Sequence, residues 1–224
     1  MIPWEEIDRA EIPGHDGYLT LQKRGTEFSI RTAGTELMNS RRHGSEDALA
    51  EIPISRIQRR SGIRVLIGGL GMGYTLAAAL EILRPDARIT VSELIPTVVD
   101  WNREHLGHLT GSPLDDPRVS VEIEDVAETM QKRINAWDAI LLDVDNGPDG
   151  LTRQANDRLY GEYGLAMAFS ALRSGGVLSI WSSGADPAFT RRLKRCGFRT
   201  EIVTPRALKT GKGSRHTIWL GEKP

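Results

Sequence analysis

Apolar and polar residues alternate along "GYLTLQKRG" and "TEFSIRTAG", and Gly25 and Gly34 interrupt the pattern. A period of two sends alternate side chains to opposite faces, so these segments are expected to be strands, with "TELMNS" as a third short one. A β region of this size buries little surface alone and needs something to pack on. "SEDALAEIPISRI" then carries apolar residues at helical spacing. From residue 62 the rhythm changes. "GIRVLIGG" is apolar without alternation and rich in β-branched residues, the mark of a strand buried on both faces. Downstream, "TLAAALEIL", "PTVVDWNREHLGHL", "VAETMQKRI", "RLYGEYGLAMAFSALRSGG" and "PAFTRRLKRCGF" read as helices. "ARITVSE", "RVSVEIED", "DAILLDVD" and "GVLSIWSS" read as the strands between them. Gly175-Gly176 is expected to stop the fourth of those helices. The tail "RTEIVTPRALKTGKGSRHTIWLGE" reads as two strands around a basic turn. Strand and helix in strict alternation predict an α/β fold, a mostly parallel sheet with helices on both faces. Residues 1–50 are expected to form a small N-terminal β-rich region and residues 51–224 the main domain.

Composition narrows the picture without redirecting it. The 224 residues carry a formal net charge of -1, with 39% hydrophobic and 26% charged residues. That balance gives no pull toward nucleic acid or a membrane surface, and no apolar run approaches the roughly 20 residues of a membrane span. "MIPWEEIDRAEIPG" has acids where a signal peptide needs bases, so a cytoplasmic location is expected. The single cysteine, Cys196, excludes an internal disulfide and is expected to pack at a helix end.

The candidate chemistry begins at "VLIGGLGMGYTL", residues 65–76, where Gly69, Gly71 and Gly73 form a G-x-G-x-G loop after the first buried strand. Glycine permits positive φ and lets a ligand approach the backbone, and the helix that follows offers N–H groups. A phosphate-binding G-x-x-x-x-G-K-[ST] is absent. The dinucleotide G-x-G-x-x-G fails as well, because its third glycine would fall on Tyr74. G-x-G-x-G instead suits class I methyltransferase-like folds, in which this loop wraps an S-adenosyl group. Glu93 ends the next strand, where an acid can accept both ribose hydroxyls. Asp125 ends the strand after that, where it can accept from an adenine amino group while Val126 packs the ring; Asp125 is equally suited to cap a helix.

The fourth strand of this region ends in "LLDVDNGPDG", which crowds Asp143, Asp145, Asn146 and Asp149 at the same edge. An amine acceptor must lose a proton before it attacks a sulfonium-bound carbon, and a carboxylate there can orient it and take the proton. A solvated acidic turn is the alternative. The spacing does not match a calcium loop, and no metal is assigned. His105 and His108 are expected to be surface histidines. "RRLKR" and "KTGKGSRH" are expected to be a solvated helix face and a hairpin tip. Residues 147–158, "GPDGLTRQANDR", form a polar segment suited to close over a site.

Taken in order, "GSEDALAE", the glycine loop, "SELIPTVVDWNR", "LDDPRVSVEIEDV", "AILLDVDNGP" and "RLYGEYGLAMAFSALRSGGVLSIWSS" resemble the spermidine synthase family of polyamine aminopropyltransferases. The resemblance implies a class I methyltransferase-like (Rossmann-like) sheet with a small N-terminal β domain through which members associate. It implies transfer of an aminopropyl group from decarboxylated S-adenosylmethionine to putrescine or a similar amine. It gives Glu93 the ribose, Asp125 the adenine and Asp143 the amine. This sequence departs from the family at three places. The loop Gly-Gly-Leu-Gly-Met-Gly lacks the family's acid, which leaves more room for a carboxylated donor. The family's Asp-Ser-Ser-Asp-Pro is Asp143-Val144-Asp145-Asn146-Gly147, and the family's Tyr-His-Glu is Gly44-Ser45-Glu46. Tyrosines for a diamine channel are not evident.

The expectation is therefore a transferase that uses S-adenosylmethionine or its decarboxylated form to alkylate a small-molecule amine. Gly69, Gly71, Gly73, Glu93, Asp125 and Val126 hold the nucleoside, and Asp143 with Asp145 serves catalysis. An exposed β edge near residues 17–38 suggests a homodimer. Two alternatives stand beside it: an S-adenosylmethionine methyltransferase of unknown acceptor, and a non-catalytic member of the family.

Overall fold

The computed structural model describes residues 2–14, 16–144, 158–208 and 213–224. Four strands, β1 (Glu5–Glu11), β2 (Tyr18–Arg24), β3 (Glu27–Thr32) and β4 (Thr35–Asn39), form an antiparallel sheet in sequence order. The pattern missed β1. Of its seven residues only Ala10 is buried, so there was no apolar alternation to read. Backbone pairing to β2 holds it instead, together with Trp101 Nε1, which donates to Asp8 Oδ2 at 2.8 Å. One edge of β2, expected to be open, is thus covered, and the free edges of this sheet belong to β1 and β4.

Helix α1 (Gly44–Ile57) leads into the second sheet. Its seven strands are β5 (Arg64–Gly68), β6 (Arg88–Glu93), β7 (Val119–Ile123), β8 (Trp137–Leu142), β9 (Leu172–Ser182), β10 (Arg199–Val203) and β11 (Thr217–Glu222), in the order β10-β11-β9-β8-β5-β6-β7. All neighbours run parallel except β11, which is antiparallel to both β9 and β10. Strand order reverses between β5 and β8. In open α/β sheets a crevice for ligands forms at such a switch, outside the carboxyl ends of the strands.

The unbroken apolar runs are explained by two half-cores. Val65 and Ile67 of β5 face one side with Ile89 and Val91 of β6, α1, and α2 (Tyr74–Ile82); Leu21, Phe28 and Ile30 of the small sheet join the same cluster. Leu66, Ile140, Leu142, Leu178 and Ile180 face the other side. There they meet α5 (Val126–Gln131), α6 (Glu162–Ala171) and α7 (Pro187–Arg195).

Two further elements differ from the sequence reading. The helix expected to run to Gly175-Gly176 ends at Ala171, and β9 already begins at Leu172, paired with Trp137. The two glycines lie inside the strand, where Gly175 takes φ +67° beside the Arg60 guanidinium. They mark a register shift rather than a helix stop. The segment expected as one helix from Pro96 is split into α3 (Pro96–Trp101), a π-helical turn (Asn102–Leu106) and α4 (Gly107–Thr110). The turn lets buried Asn102 donate through Nδ2 to the carbonyls of both Val98 and Gly71, at 2.9 and 2.8 Å. Tertiary bonding to the glycine loop thereby overrides the local helical pattern.

Candidate functional site

The glycine loop leaves β5 at the switch point, and Gly69, Gly71 and Gly73 all adopt positive φ. At Gly69 the reason is both conformation and space: φ is +86°, and a Cβ would stand 2.6 Å from the backbone oxygen of Asp143. Asp143 N–H in turn donates to the Gly68 carbonyl at 2.9 Å. The loop and the end of β8 are therefore pressed together. Gly71 lies under the small sheet, and a Cβ there would come within 2.8 Å of Met38 Sδ and Cε. Gly73 caps the N-terminus of α2.

Glu93 is 7% exposed at the end of β6. Its Oε2 accepts from Leu70 N–H at 2.8 Å and its Oε1 from Ile95 N–H at 2.9 Å. The sequence reading gave this acid to a ligand. The structure shows that it also ties the glycine loop to the end of β6. Asp125 caps α5, with Oδ1 accepting from Ala127 N–H at 2.8 Å, while its Oδ2 lies 3.9 Å from Arg158 Nη1. Val126 is buried against Gly68 and belongs to the core. Leu94 and Ile123, at 44% and 50% exposure, are instead the open apolar side chains at these strand ends. Ile123 pairs in register with Glu93. Two large exposed hydrophobics flanking a buried acid suit the face of an aromatic base. The sequence reading missed both, because an apolar residue at a strand end looks like core.

Across the switch, Asp143 follows β8, and its Oδ2 accepts from Thr75 Oγ1 of α2 at 3.0 Å. Burial pushes this carboxyl up to about 6, although the Thr75 bond works against the rise. Glu46 in the first turn of α1 is its charged neighbour. Burial and then the charge of Asp143 push Glu46 up to about 7. Two desolvated acids that feel each other cannot both ionise at little cost, so the pair holds a proton close to neutral pH. The pattern of residues did not single out Glu46; only its match to the family's Tyr-His-Glu did. Ser45 donates to Glu46 Oε2 at 2.5 Å. Buried Asp47 meets His43 Nδ1 at 2.8 Å, and the His43 ring stacks on Tyr74 with centroids 4.0 Å apart. Tyr74 is pushed up to about 12 by burial and by the charges of Asp47 and Glu46. Its hydroxyl donates to the Ser40 carbonyl, and that of Tyr160 to the Val144 carbonyl, both at 3.1 Å. Two tyrosines thus stand close to the acids although no sequence pattern announced them.

Asp145 lies outside the described residues, as do Asn146, Asp149 and nearly all of the polar 147–158 segment. His105 is half-exposed and His108 sits edge-on to Phe28. Cys196 caps α7, with Sγ 3.9 Å from the Glu162 carbonyl, and burial pushes its thiol up. Among the described residues no helix is long and apolar enough to cross a membrane.

At this edge a glycine loop with room for close approach, a buried acid bonded to that loop and two open apolar side chains come together. Comparison with known proteins places this arrangement. The polyamine aminopropyltransferase of Korarchaeum cryptofilum is 31% identical over 121 residues, which is 54% of this chain and 36% of that protein. The chain spans less than half the length of the curated relatives it matches. Spermidine synthase from Thermotoga maritima shares the fold at a TM-score of 0.76 and 20% identity, covering 98% of this chain and 73% of that one. A spermidine synthase in complex with the transition state analogue AdoDATO matches at a TM-score of 0.78 and 20% identity, over 98% of this chain and 74% of that one. The spermine/spermidine synthase domain model matches residues 43–192, a stretch that holds Glu46, the glycine loop, Glu93, Asp125 and Asp143. The chain belongs to the spermine/spermidine synthase domain family.

Proposed function

We propose that this chain is an S-adenosyl-nucleoside-dependent transferase that alkylates a small amine, with aminopropyl transfer from decarboxylated S-adenosylmethionine as the leading form. The observation that carries this reading is the buried acid pair, Glu46 and Asp143, set beside the glycine loop at the switch point. Glu93, Leu94, Ile123 and Asp125 would hold the nucleoside, with the loop backbone around Gly69, Gly71 and Gly73. The sulfonium end of the donor then faces β8. The amine nitrogen attacks the carbon on sulfur in line; the N–C bond forms, the C–S bond breaks, and its electron pair goes to sulfur. Sulfonium is already an activated leaving group, so the protein's share is alignment and proton removal. Asp143 accepts the amine proton, and a carboxyl that titrates near 6 is matched to that task at neutral pH.

A methyltransferase is the second reading. Gly71 is covered by the uncharged thioether of Met38, and the described part of the loop brings no acid to the donor's tail. Calorimetric titration with each donor decides between the two. Preference for the decarboxylated form supports aminopropyl transfer, preference for the carboxylated form supports methyl transfer, and binding of neither defeats both. Homodimer formation would use the free β1 or β4 edge, beside the exposed Ile7 and Tyr18, and sedimentation across a range of concentrations tests it.

A further inference from the structure

His216 precedes β11 and is separated from Ser45 by 171 residues, yet its Nδ1 lies 2.7 Å from Ser45 Oγ. Its Nε2 lies 3.0 Å from Ser214 Oγ, which is exposed. Ser45 Oγ is also 2.5 Å from Glu46 Oε2. One bonded chain therefore runs from Glu46, one member of the buried acid pair, to the surface: Glu46, Ser45, His216, Ser214. Trp181 packs edge-on against the His216 ring, with centroids 4.9 Å apart, and walls one side of the path. Only the orientation of β11 makes this possible. Because β11 is antiparallel to its neighbours, its start, rather than its end, lies at the functional edge.

Alkylation of an ammonium by a sulfonium releases one proton per turnover. A buried base that cannot pass this proton on stays protonated and blocks the next cycle. We propose that Ser45 and His216 form the proton exit of the acid pair: the proton that Asp143 takes from the acceptor amine passes to its neighbour Glu46 and leaves through Ser45 and His216 to solvent at Ser214. This proposal rests on the transferase reading given above. Both ends of the cycle have a consistent set of bonds. With Glu46 ionised, Ser45 O–H donates to Glu46, His216 Nδ1–H donates to Ser45, and Ser214 O–H donates to Nε2. With Glu46 protonated, Glu46 O–H donates to Ser45, and Ser45 O–H donates to a bare Nδ1, so the histidine proton sits on Nε2 and faces Ser214. Passing from the protonated to the ionised set moves the Glu46 proton onto Ser45, the Ser45 proton onto Nδ1 and the Nε2 proton to solvent at Ser214; no electrons are exchanged and no co-reactant is needed. His216 and Ser45 act through Glu46 and are positioning residues for proton departure. Among the described residues, the charged and titratable groups around this path include Arg42 and His43 on the segment before α1, Glu46 and Asp47 on α1, Tyr74 on α2 and Asp143 after β8. Burial, followed by the Arg42 charge, holds His216 below its ordinary value, which favours release of its proton.

The first test needs no substrate. Nitrogen-15 NMR of the intact chain reads the His216 tautomer across pH 5.5–8.5. The expected result is the Nε2–H form where Glu46 is protonated and the Nδ1–H form where it is ionised, with the switch abolished in Glu46→Gln and in Ser45→Ala. A tautomer that does not change, or that changes identically in Ser45→Ala, overturns the proposal. Turnover supplies the second test. His216→Gln is expected to lower kcat about tenfold at pH 7, less than the loss of a direct general base. KM for both substrates should stay within about twofold, and added imidazole should restore the rate. Ser45→Ala combined with His216→Gln should be no slower than the slower single variant, because the two act in series. Additive losses, or no rescue, overturn the relay. If the wild-type chain transfers nothing to any amine, the transferase reading fails and the proposed exit for an amine proton fails with it. The NMR switch then reports separately whether Glu46 and His216 are coupled.

Discussion

The same sheet edge holds two kinds of acid. On the β6–β7 side, Glu93 and Asp125 accept from backbone N–H groups: Glu93 from Leu70 and Ile95, Asp125 from Ala127. On the β8–β9 side, Asp143 and Glu46 accept from side-chain hydroxyls, those of Thr75 and Ser45, with Glu46 also accepting from its own backbone N–H, and both are driven up by burial. Backbone donors fix a carboxylate in place. Hydroxyls can reverse their role, so an acid that must gain and lose protons is better served by them. In the proposed function the first side would hold the ligand and the second would handle the proton.

Substitutions should separate the two sides. Asp143→Asn is expected to have the largest effect, a fall in kcat of about 10²–10⁴ with the donor dissociation constant nearly unchanged, read by steady-state rates beside calorimetry. Equal loss of binding would remove the distinction. Glu93→Gln should do the opposite. It turns an amide N–H toward Leu70 N–H or Ile95 N–H, and donor binding should weaken by about 10- to 100-fold, with a lower melting temperature as the loop loosens. Gly69→Ala should cost about 1–3 kcal/mol of stability, because φ +86° and the 2.6 Å approach to Asp143 O exclude a Cβ; urea unfolding measures it. Asp125→Asn keeps the cap of α5, since asparagine caps well, but removes the charge. A melting temperature unchanged with a severalfold weaker donor affinity would assign Asp125 to the ligand as well as to the helix. No change in either would leave it as a cap alone.

A fifth expectation concerns pH. Glu46 and Asp143 bind protons more tightly when folded than when unfolded, so their contribution is fully present below the ordinary carboxylate range and is lost as pH rises through about 6 to 7. Stability from these two groups should therefore fall between about pH 4 and 7 and level off above. Each unit of raised affinity is worth at most ~1.4 kcal/mol before solvent screening. Glu46→Gln should flatten the slope and raise the melting temperature at pH 8. An unchanged slope would remove the desolvated pair from the account of the site.

The sequence was most informative where physics is local. Apolar runs in β5, β6 and β8, the glycine loop and the acids that end β6 and β8 could be read because each depends on neighbours a few residues away. β1 could not, since a strand exposed on both faces has no pattern to give. The break of helix at Asn102 is set by a carbonyl 31 residues earlier in the chain, at Gly71. Gly175-Gly176 looked like a helix stop because a positive φ serves equally well in a bulged strand. On the ligand side, Glu93 could be singled out but not its second task of holding Leu70. On the proton side, Asp143 was visible, whereas Glu46, Ser45 and His216 come from segments that only the folded sheet brings together.

The place of β11, after β10 in sequence but between β9 and β10 in the sheet, also sets an order of assembly. A chain emerging from its N-terminus completes Glu93, Asp125 and Asp143 while β11 is still to be made. β11 must then enter between β9 and β10, which are already made. Such late, non-local insertion is the slow kind of step in folding. A refolding chain should regain its grip on the donor before it regains turnover, and the interval between the two would time the arrival of the last strand.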